Sequence, residues 1–367
     1  MALEGKGWYI WQIRRCEGGN AAQIAAEAVA SGLSHVLIKV ADGTSAYNLD
    51  PITGADLVPS IIQALRAKNI QCWGWQYVYG YDPAGEGAIA VQRTQQLNLD
   101  GFVIDAEDQY KLPGREAAAR TYMNVLRASL PNLPIALSSY RYPTLHPQLP
   151  WVAFLEKCDY NMPQVYWVNA HNPGEQLIRS VREFQAITPF RRIIPTGSAY
   201  LQGNWQATSA DIIDFMQTAQ IVNLSAANFW EWGHTKLYVP GLWETVKAFP
   251  WGGFPPGGEI LDNYFDALNA HNAGLAASLY ASNAVHVNGD RVIQGNEAIR
   301  NWYQTLFGQI LPNAQFTLTG SSGDQSARSF QWTAVSDAGR VIDGSDNFGI
   351  VNGAIVYHYT FFTLSPP

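Results

Sequence analysis

The chain has 367 residues, enough for two domains with separate hydrophobic cores. Aromatic residues reach 13% and charged residues only 14%, a balance that excludes a disordered chain. The net charge of −7 and the lack of any basic cluster exclude nucleic acid as the expected partner, and no apolar run approaches the ~20 residues that a membrane helix needs.

Cys16, Cys72 and Cys158 are widely spaced, so neither a disulfide framework nor a zinc site is expected. The seven histidines are scattered, with no His-x-x-x-His pair, and the expectation is a site without metal or cofactor. No signal peptide precedes the first strand; the expectation is a cytoplasmic protein, or a secreted one whose signal has been trimmed.

From residue 7 to about 250, short apolar strands alternate with amphipathic helices. The strands are expected at Gly7–Ile13, His35–Val40, Gln71–Tyr79, Gly101–Glu107, Ile135–Ser139, Tyr160–Trp167, Ile193–Ser198 and Ala227–Trp232. Helices are expected between them at Ala21–Ala30, Asp56–Lys68, Gly87–Leu97, Arg115–Ser129, Gly174–Ala186 and Ser209–Gln220, with an irregular loop from Tyr142 to Pro150. Eight such repeats predict a (β/α)8 barrel over residues 1–251. An open doubly wound sheet would want a Gly-rich phosphate turn after the first strand, and Arg14-Arg15-Cys16-Glu17-Gly18-Gly19 is not one.

Residues 252–258 read as a Pro/Gly linker. Beyond them, residues 259–367 begin with helices at Glu259–Asn272 and Glu297–Leu306 and end in strands at Phe316–Gly320, Ser326–Val335, Val341–Val351 and Ala354–Leu364. Asn352-Gly353 is a strong hairpin signal. Helices followed by a meander predict a smaller α+β domain.

The stretch Asp100-Gly-Phe-Val-Ile-Asp-Ala-Glu107 carries the chemistry. Strand alternation puts Val103, Asp105 and Glu107 on one face, and carboxylates on a greasy strand are costly unless something uses them. Strand ends supply the catalytic acids of barrel enzymes. The neighbouring strand ends contribute Trp11, Gln12, Lys39, Asp42, Gln76, Tyr77, Tyr140, Gln164, Tyr166, Trp230 and Glu231. Tyr200 stands close after strand seven. Aromatic faces stack on pyranose rings, and amides and phenols hydrogen-bond hydroxyls, so a carbohydrate substrate is expected. Lys39, inside an apolar strand, is expected as a counter-ion to the acids, with a Schiff-base role as the sharper alternative.

This strand resembles the D-G-x-D-x-D-x-E strand of chitinase-type glycoside hydrolases (family eighteen), with Val103 at the first interior Asp and Asp105 and Glu107 matching the last two acids. Met162-Pro-Gln164 is similar to that family's Met-x-Tyr-Asp on strand six, with Gln164 at the Tyr, and Phe229-Trp230-Glu231 to its strand-eight Trp. Val36-Leu-Ile-Lys-Val-Ala-Asp-Gly43 and Asp105-Ala-Glu107 are similar to strands of lysozyme-type family-twenty-five barrels, whose strand-one Asp is replaced here by Trp8, Tyr9 and Trp11.

The resemblance implies a glycoside hydrolase with Glu107 as general acid. Asp42 and Glu231 are the candidates for a second acid across the sugar. An N-acetylated substrate could instead supply its own carbonyl as nucleophile, with Asp105 orienting it and Gln164, Tyr166 or Tyr200 holding it. The alternative is a carbohydrate-binding barrel without catalysis. The C-terminal part resembles the NTF2-like (SnoaL-like) cone, on the opening helix, Leu279–Val287, Gly295–Ile299 and the final hairpin. That resemblance implies a dimerising or small-ligand-binding module, with His286, Arg300, Trp302, His358 and Tyr359 as pocket candidates and no evident acid–base pair. A homodimer through its sheet is expected.

Overall fold

The computed structural model describes residues 3–222, 224–249, 251, 260–324, 326–351 and 353–366. The expected linker at 252–258 and the turn residue Asn352 lie outside them. The chain divides into two compact units, Met1–Trp251 and Gly252–Pro367.

The first unit is a closed barrel of eight parallel strands: β1 (Gly5–Ile10), β2 (Leu33–Asp42), β3 (Gln71–Val78), β4 (Gly101–Ala106), β5 (Ile135–Tyr140), β6 (Tyr160–Val165), β7 (Thr196–Ser198) and β8 (Ala226–Trp230). Strand β1 pairs with both β2 and β8, which closes the sheet. The first expected strand is shifted, because Ile13 already opens a 3-10 turn. The seventh is broken: Arg192–Ile193 pairs with β6 two residues before β7 begins.

Around the barrel run α1 (Ala21–Ala30), α2 (Val58–Arg66), α3 (Pro83–Leu97), α4 (Arg115–Ser129), the short α5 (Trp151–Leu155), α6 (Pro173–Gln185) and α7 (Ser209–Ile221). Helix α7 starts on a reciprocal cap between Thr208 and Asp211. Two helices that sequence reading did not expect, α8 (Trp232–Tyr238) and α9 (Pro240–Ala248), complete the layer. The buried Lys6 of β1 donates to the carbonyls of Val246, Lys247 and Phe249 at the end of α9, tying the first strand to the last helix.

Alternation along the strands separates two cores. Outward-facing Ile10, Ile38, Phe102, Ile104 and Leu137 pack under the helices. Inward-facing Tyr9, Leu37, Trp73, Trp75, Val103, Ala136, Met162 and Ile194 fill the barrel. Glycines make room for the large residues: a Cβ on Gly101 would stand 2.4 Å from the Trp73 ring, and one on Gly7 2.1 Å from His35 Nε2. Buried His35 lies 2.6 Å from Asn228 Oδ1 and 2.8 Å from Ser34 Oγ, and burial pushes its imidazole down to about 4.

The second unit carries α10 (Ile260–Asn269), α11 (Ala273–Ser278), β9 (Tyr280–Asn288), β10 (Arg291–Gln294), α12 (Asn296–Thr305), β11 (Gln315–Gly323), β12 (Ala327–Ser336), β13 (Gly339–Val351) and β14 (Ala354–Phe361). The sheet runs in the order β10-β9-β14-β13-β12-β11, with Leu364–Ser365 added against β13. Only β9 and β14 pair in parallel among these neighbours. Bulges interrupt the registers of β11, β12, β13 and β9, curving the sheet around a core of Tyr264, Leu268, Tyr303, Phe316, Phe330, Trp332, Phe348 and Ile355. The expected α+β architecture is present.

Candidate active site

Strand β4 ends at Ala106, and the chain enters a 3-10 turn at Asp108–Lys111, so Glu107 stands at the rim of the barrel mouth. Asp105, one alternation below, is 6% exposed. A single amide links the two acids. Gln164 Nε2 donates to Asp105 Oδ1 at 3.0 Å and to Glu107 Oε1 at 2.9 Å, with Ser138 Oγ 3.4 Å away. Gln164 reaches them from β6 and Ser138 from the intervening β5, whose register pairs Asp105 with Ser138.

Burial pushes the Asp105 carboxyl well above the usual carboxylate range. The charge of Glu107 and a hydrogen bond between the two acids add to the rise, while Lys39 and Gln164 pull the other way. Tyr77, near the C-terminal end of β3, is raised by burial and then by the charges of Glu107 and Asp105, and its hydroxyl donates to Gln109 Oε1 at 2.6 Å.

An aromatic floor lies beside the acids. The Trp230 ring contacts Tyr9 at 5.5 Å, Trp75 at 5.5 Å and Trp11 at 6.2 Å between centroids. Trp11 is 40% exposed, leaving a face open to solvent. Lys39 Nζ pairs with Asp42 Oδ2 at 2.8 Å and lies over Tyr47 at 4.4 Å and Trp75 at 4.8 Å. Asp42 also accepts from the Tyr79 hydroxyl at 2.8 Å. On the other flank, Tyr140 donates to Asp108 Oδ1 at 2.6 Å and stacks on His146. Tyr166 meets Tyr200 edge-on at 5.7 Å.

Three expected site residues stand differently. Gln76 faces the helices, because its neighbours Trp75 and Tyr77 take the inward positions. Its amide donates to the Gly43 and Glu86 carbonyls and accepts from Tyr122. Glu231 follows inward Trp230, and its carboxylate caps α8, accepting from Gly233 N at 3.1 Å and His234 N at 2.6 Å. That occupied, buried acid is not available across a sugar from Glu107. Gln12 serves through its backbone, whose carbonyl accepts from Arg15 N and Cys16 Sγ.

The second unit holds an acid–base pair that sequence reading missed. His358 Nε2 lies 3.0 Å from Asp346 Oδ2, and both residues are 1% exposed or less. Asp346 also accepts from Trp332 Nε1 at 3.0 Å, Thr360 Oγ1 at 2.6 Å and the Tyr264 hydroxyl at 3.3 Å. The His358 Nδ1 side continues through Tyr280, Tyr303 and Tyr264 hydroxyls in contacts of 2.6–3.0 Å. His286 packs beside His358, ring centroids 4.4 Å apart, with no hydrogen-bond partner on either ring nitrogen among the described residues. Burial and then His358 push it down to about 2. Arg300 and Trp302 are buried with this cluster's helix, whereas Tyr359 alternates to the outer face, opposite Asn347. The available signal for Asp346 was its place in β13, two residues before the apolar positions Phe348 and Ile350.

Among the described residues, no group of three His, Cys, Asp or Glu side chains is placed to hold a metal, and no helix is long and apolar enough to cross a membrane.

A family model described as a SnoaL-like domain matches residues 261–358. The second unit is therefore an NTF2-like domain. Solved structures similar to the chain include an NTF2-like protein from Cytophaga hutchinsonii, 12% identical over 28% of this chain and 87% of that one, TM-score 0.24. Another is an NTF2-like protein from Burkholderia xenovorans, 12% identical over 29% and 83%, TM-score 0.26. A cystatin-fold protein from Novosphingobium aromaticivorans is 12% identical over 28% and 94%, TM-score 0.26. No curated protein matches the chain.

Proposed function

We propose that this protein, an eight-stranded parallel barrel followed by an NTF2-like domain, binds an N-acetylated glycan at the barrel mouth and hydrolyses it. The observation that carries the reading is the acid pair of β4, held by one amide beside an open tryptophan floor. Trp230 and Trp11 would stack on the sugar faces. Glu107, at the rim, would protonate the leaving glycosidic oxygen as its bond to the anomeric carbon breaks. The substrate's own acetamido carbonyl oxygen would bond to that carbon as the glycosidic bond breaks, and a water deprotonated by Glu107 would then open this C–O bond, releasing the sugar and returning the proton to Glu107.

Asp105 would accept the acetamido N–H and stabilise the charge that develops there, aided by Gln164. Substrate assistance suits a mouth whose other acids are engaged: Asp42 with Lys39 and Tyr79, and Glu231 with the α8 amides. Val103, packed among Tyr9, Leu37 and Trp75 where the family motif has an acid, favours the second reading, a barrel that binds glycans without cleaving them. Glu107→Gln separates the two. Unchanged affinity for an N-acetylated oligosaccharide with loss of reducing-end release supports hydrolysis; wild-type protein that binds without releasing reducing ends makes the mouth a binding site.

The second unit would associate with a copy of itself across its outer sheet face, where Val335, Ile342, Tyr357 and Phe361 are exposed. Light scattering of the full chain at tens of micromolar tests this: a dimer mass supports it, and a monomer mass removes it.

A further inference from the structure

At the opposite end of the barrel from the acid pair, cavities of about 630 and 510 Å3 share Arg127, Pro131, Asp159, Tyr160 and Arg192 and so form one groove. It runs beneath the starting ends of β5 and β6 and the Arg192–Ile193 segment that pairs with β6. In a chain of net charge −7, this groove collects Arg127, Lys157, Arg191 and Arg192.

The two acids in the groove are already neutralised. Asp159 pairs with Arg127 at 2.6 Å, and Glu156 pairs with Arg120 at 2.6 Å. Arg191 donates to the main-chain carbonyls of Leu155 and Glu156 and meets no carboxylate among the described residues. Lys157 Nζ and the Arg192 guanidinium have no partner among the described residues. Three positive charges thus converge uncompensated on one concave surface. Pro131, Leu133 and the Tyr160 ring add apolar surface to the groove. Guanidinium forks, one of them held by main-chain carbonyls, together with an ammonium are the donor set that recognises a multiply charged phosphoryl oxyanion.

We propose that this groove binds a phosphoryl group, using Lys157, Arg191 and Arg192, at a site separate from the glycan mouth. Free phosphate and a small phosphate ester present the same oxyanion, so inorganic phosphate and a hexose phosphate are titrated separately into the full chain by calorimetry at low ionic strength. The expected result is saturable one-to-one binding of at least one of them, weakening as salt rises. The tighter of the two identifies the source. Lys157→Glu combined with Arg192→Glu, folded by circular dichroism, should weaken binding at least tenfold. Lys157→Gln with Arg192→Gln provides a milder pair if the charge reversals fail to fold. Glu107→Gln should leave the affinity unchanged, which separates this site from the mouth. Absence of saturable binding, or binding that the groove variants leave intact, overturns the proposal.

Discussion

The barrel mouth and the NTF2-like core each bury a carboxylate among aromatic rings, but they satisfy it differently. Asp346 accepts from an indole, a hydroxyl and a phenol, with an imidazole at 3.0 Å, inside a closed core. Asp105 accepts from the amide nitrogen of Gln164, which also donates to Glu107 at an open rim. A fully satisfied buried acid fixes its neighbours and holds a fold together. An acid with few donors, pressed against a second acid at an open rim, keeps accepting capacity that a ligand N–H could use. Under the proposed function, the difference would separate an architectural carboxylate from one that serves a ligand.

The largest effect that would break this comparison is the removal of Asp346. Asp346→Ala should cost on the order of 3–5 kcal/mol, since it strands the donors of Trp332 and Thr360 in a dry core. Denaturant unfolding of the full chain checks it, with the loss confined to the transition of the second unit. A cost below about 1 kcal/mol would show that the network is not structural.

Acid should act on both units through their buried histidines. His286 and His35 are held below their ordinary value of 6.5, at about 2 and about 4. Each folded state therefore binds fewer protons than the unfolded chain once the pH falls below 6.5. Their contribution to stability is complete above 6.5 and shrinks on acidification, by up to about 1.4 kcal/mol per pH unit for each histidine. The loss through His35 ends near pH 4, while that through His286 continues toward pH 2. Melting curves between pH 7 and 4 for His286→Leu and His35→Asn, each against the parent chain, should show a shallower fall with pH.

The mouth should respond with the opposite sign. Asp105 titrates above its unfolded value, so the folded state holds the extra proton. Its contribution is present at acid pH and is lost as the pH rises through the folded titration. Asp105→Asn should leave the fold intact and raise stability at neutral pH by about 1 kcal/mol, while abolishing any hydrolysis. A melting temperature that falls in that variant would place Asp105 with the architectural acids.

Much of this was legible in the sequence. Eight apolar runs fixed the barrel, and period two along Phe102–Glu107 put both acids on one face. The same rule applied to adjacent pairs would have separated Trp230 from Glu231 and Tyr77 from Gln76, since neighbours on a strand cannot share a face. Helix α8 was hidden because it begins directly after β8, with Glu231 as its cap and no Gly or Pro between. The strand position of Asp346 was readable, but its network was not: its donors Trp332, Thr360 and Tyr264 come from three separate elements, and only the curved sheet assembles them.

The smallest structural change gives the most direct test. Titration of an N-acetylated tetrasaccharide into the full chain, followed by tryptophan fluorescence, reports on Trp230 and Trp11 at the mouth. The account predicts a saturable change in the parent chain, one of equal affinity in Glu107→Gln, and a loss of at least tenfold in Trp230→Ala. No saturable change in the parent chain, or equal affinity in Trp230→Ala, would contradict a glycan site at the barrel mouth.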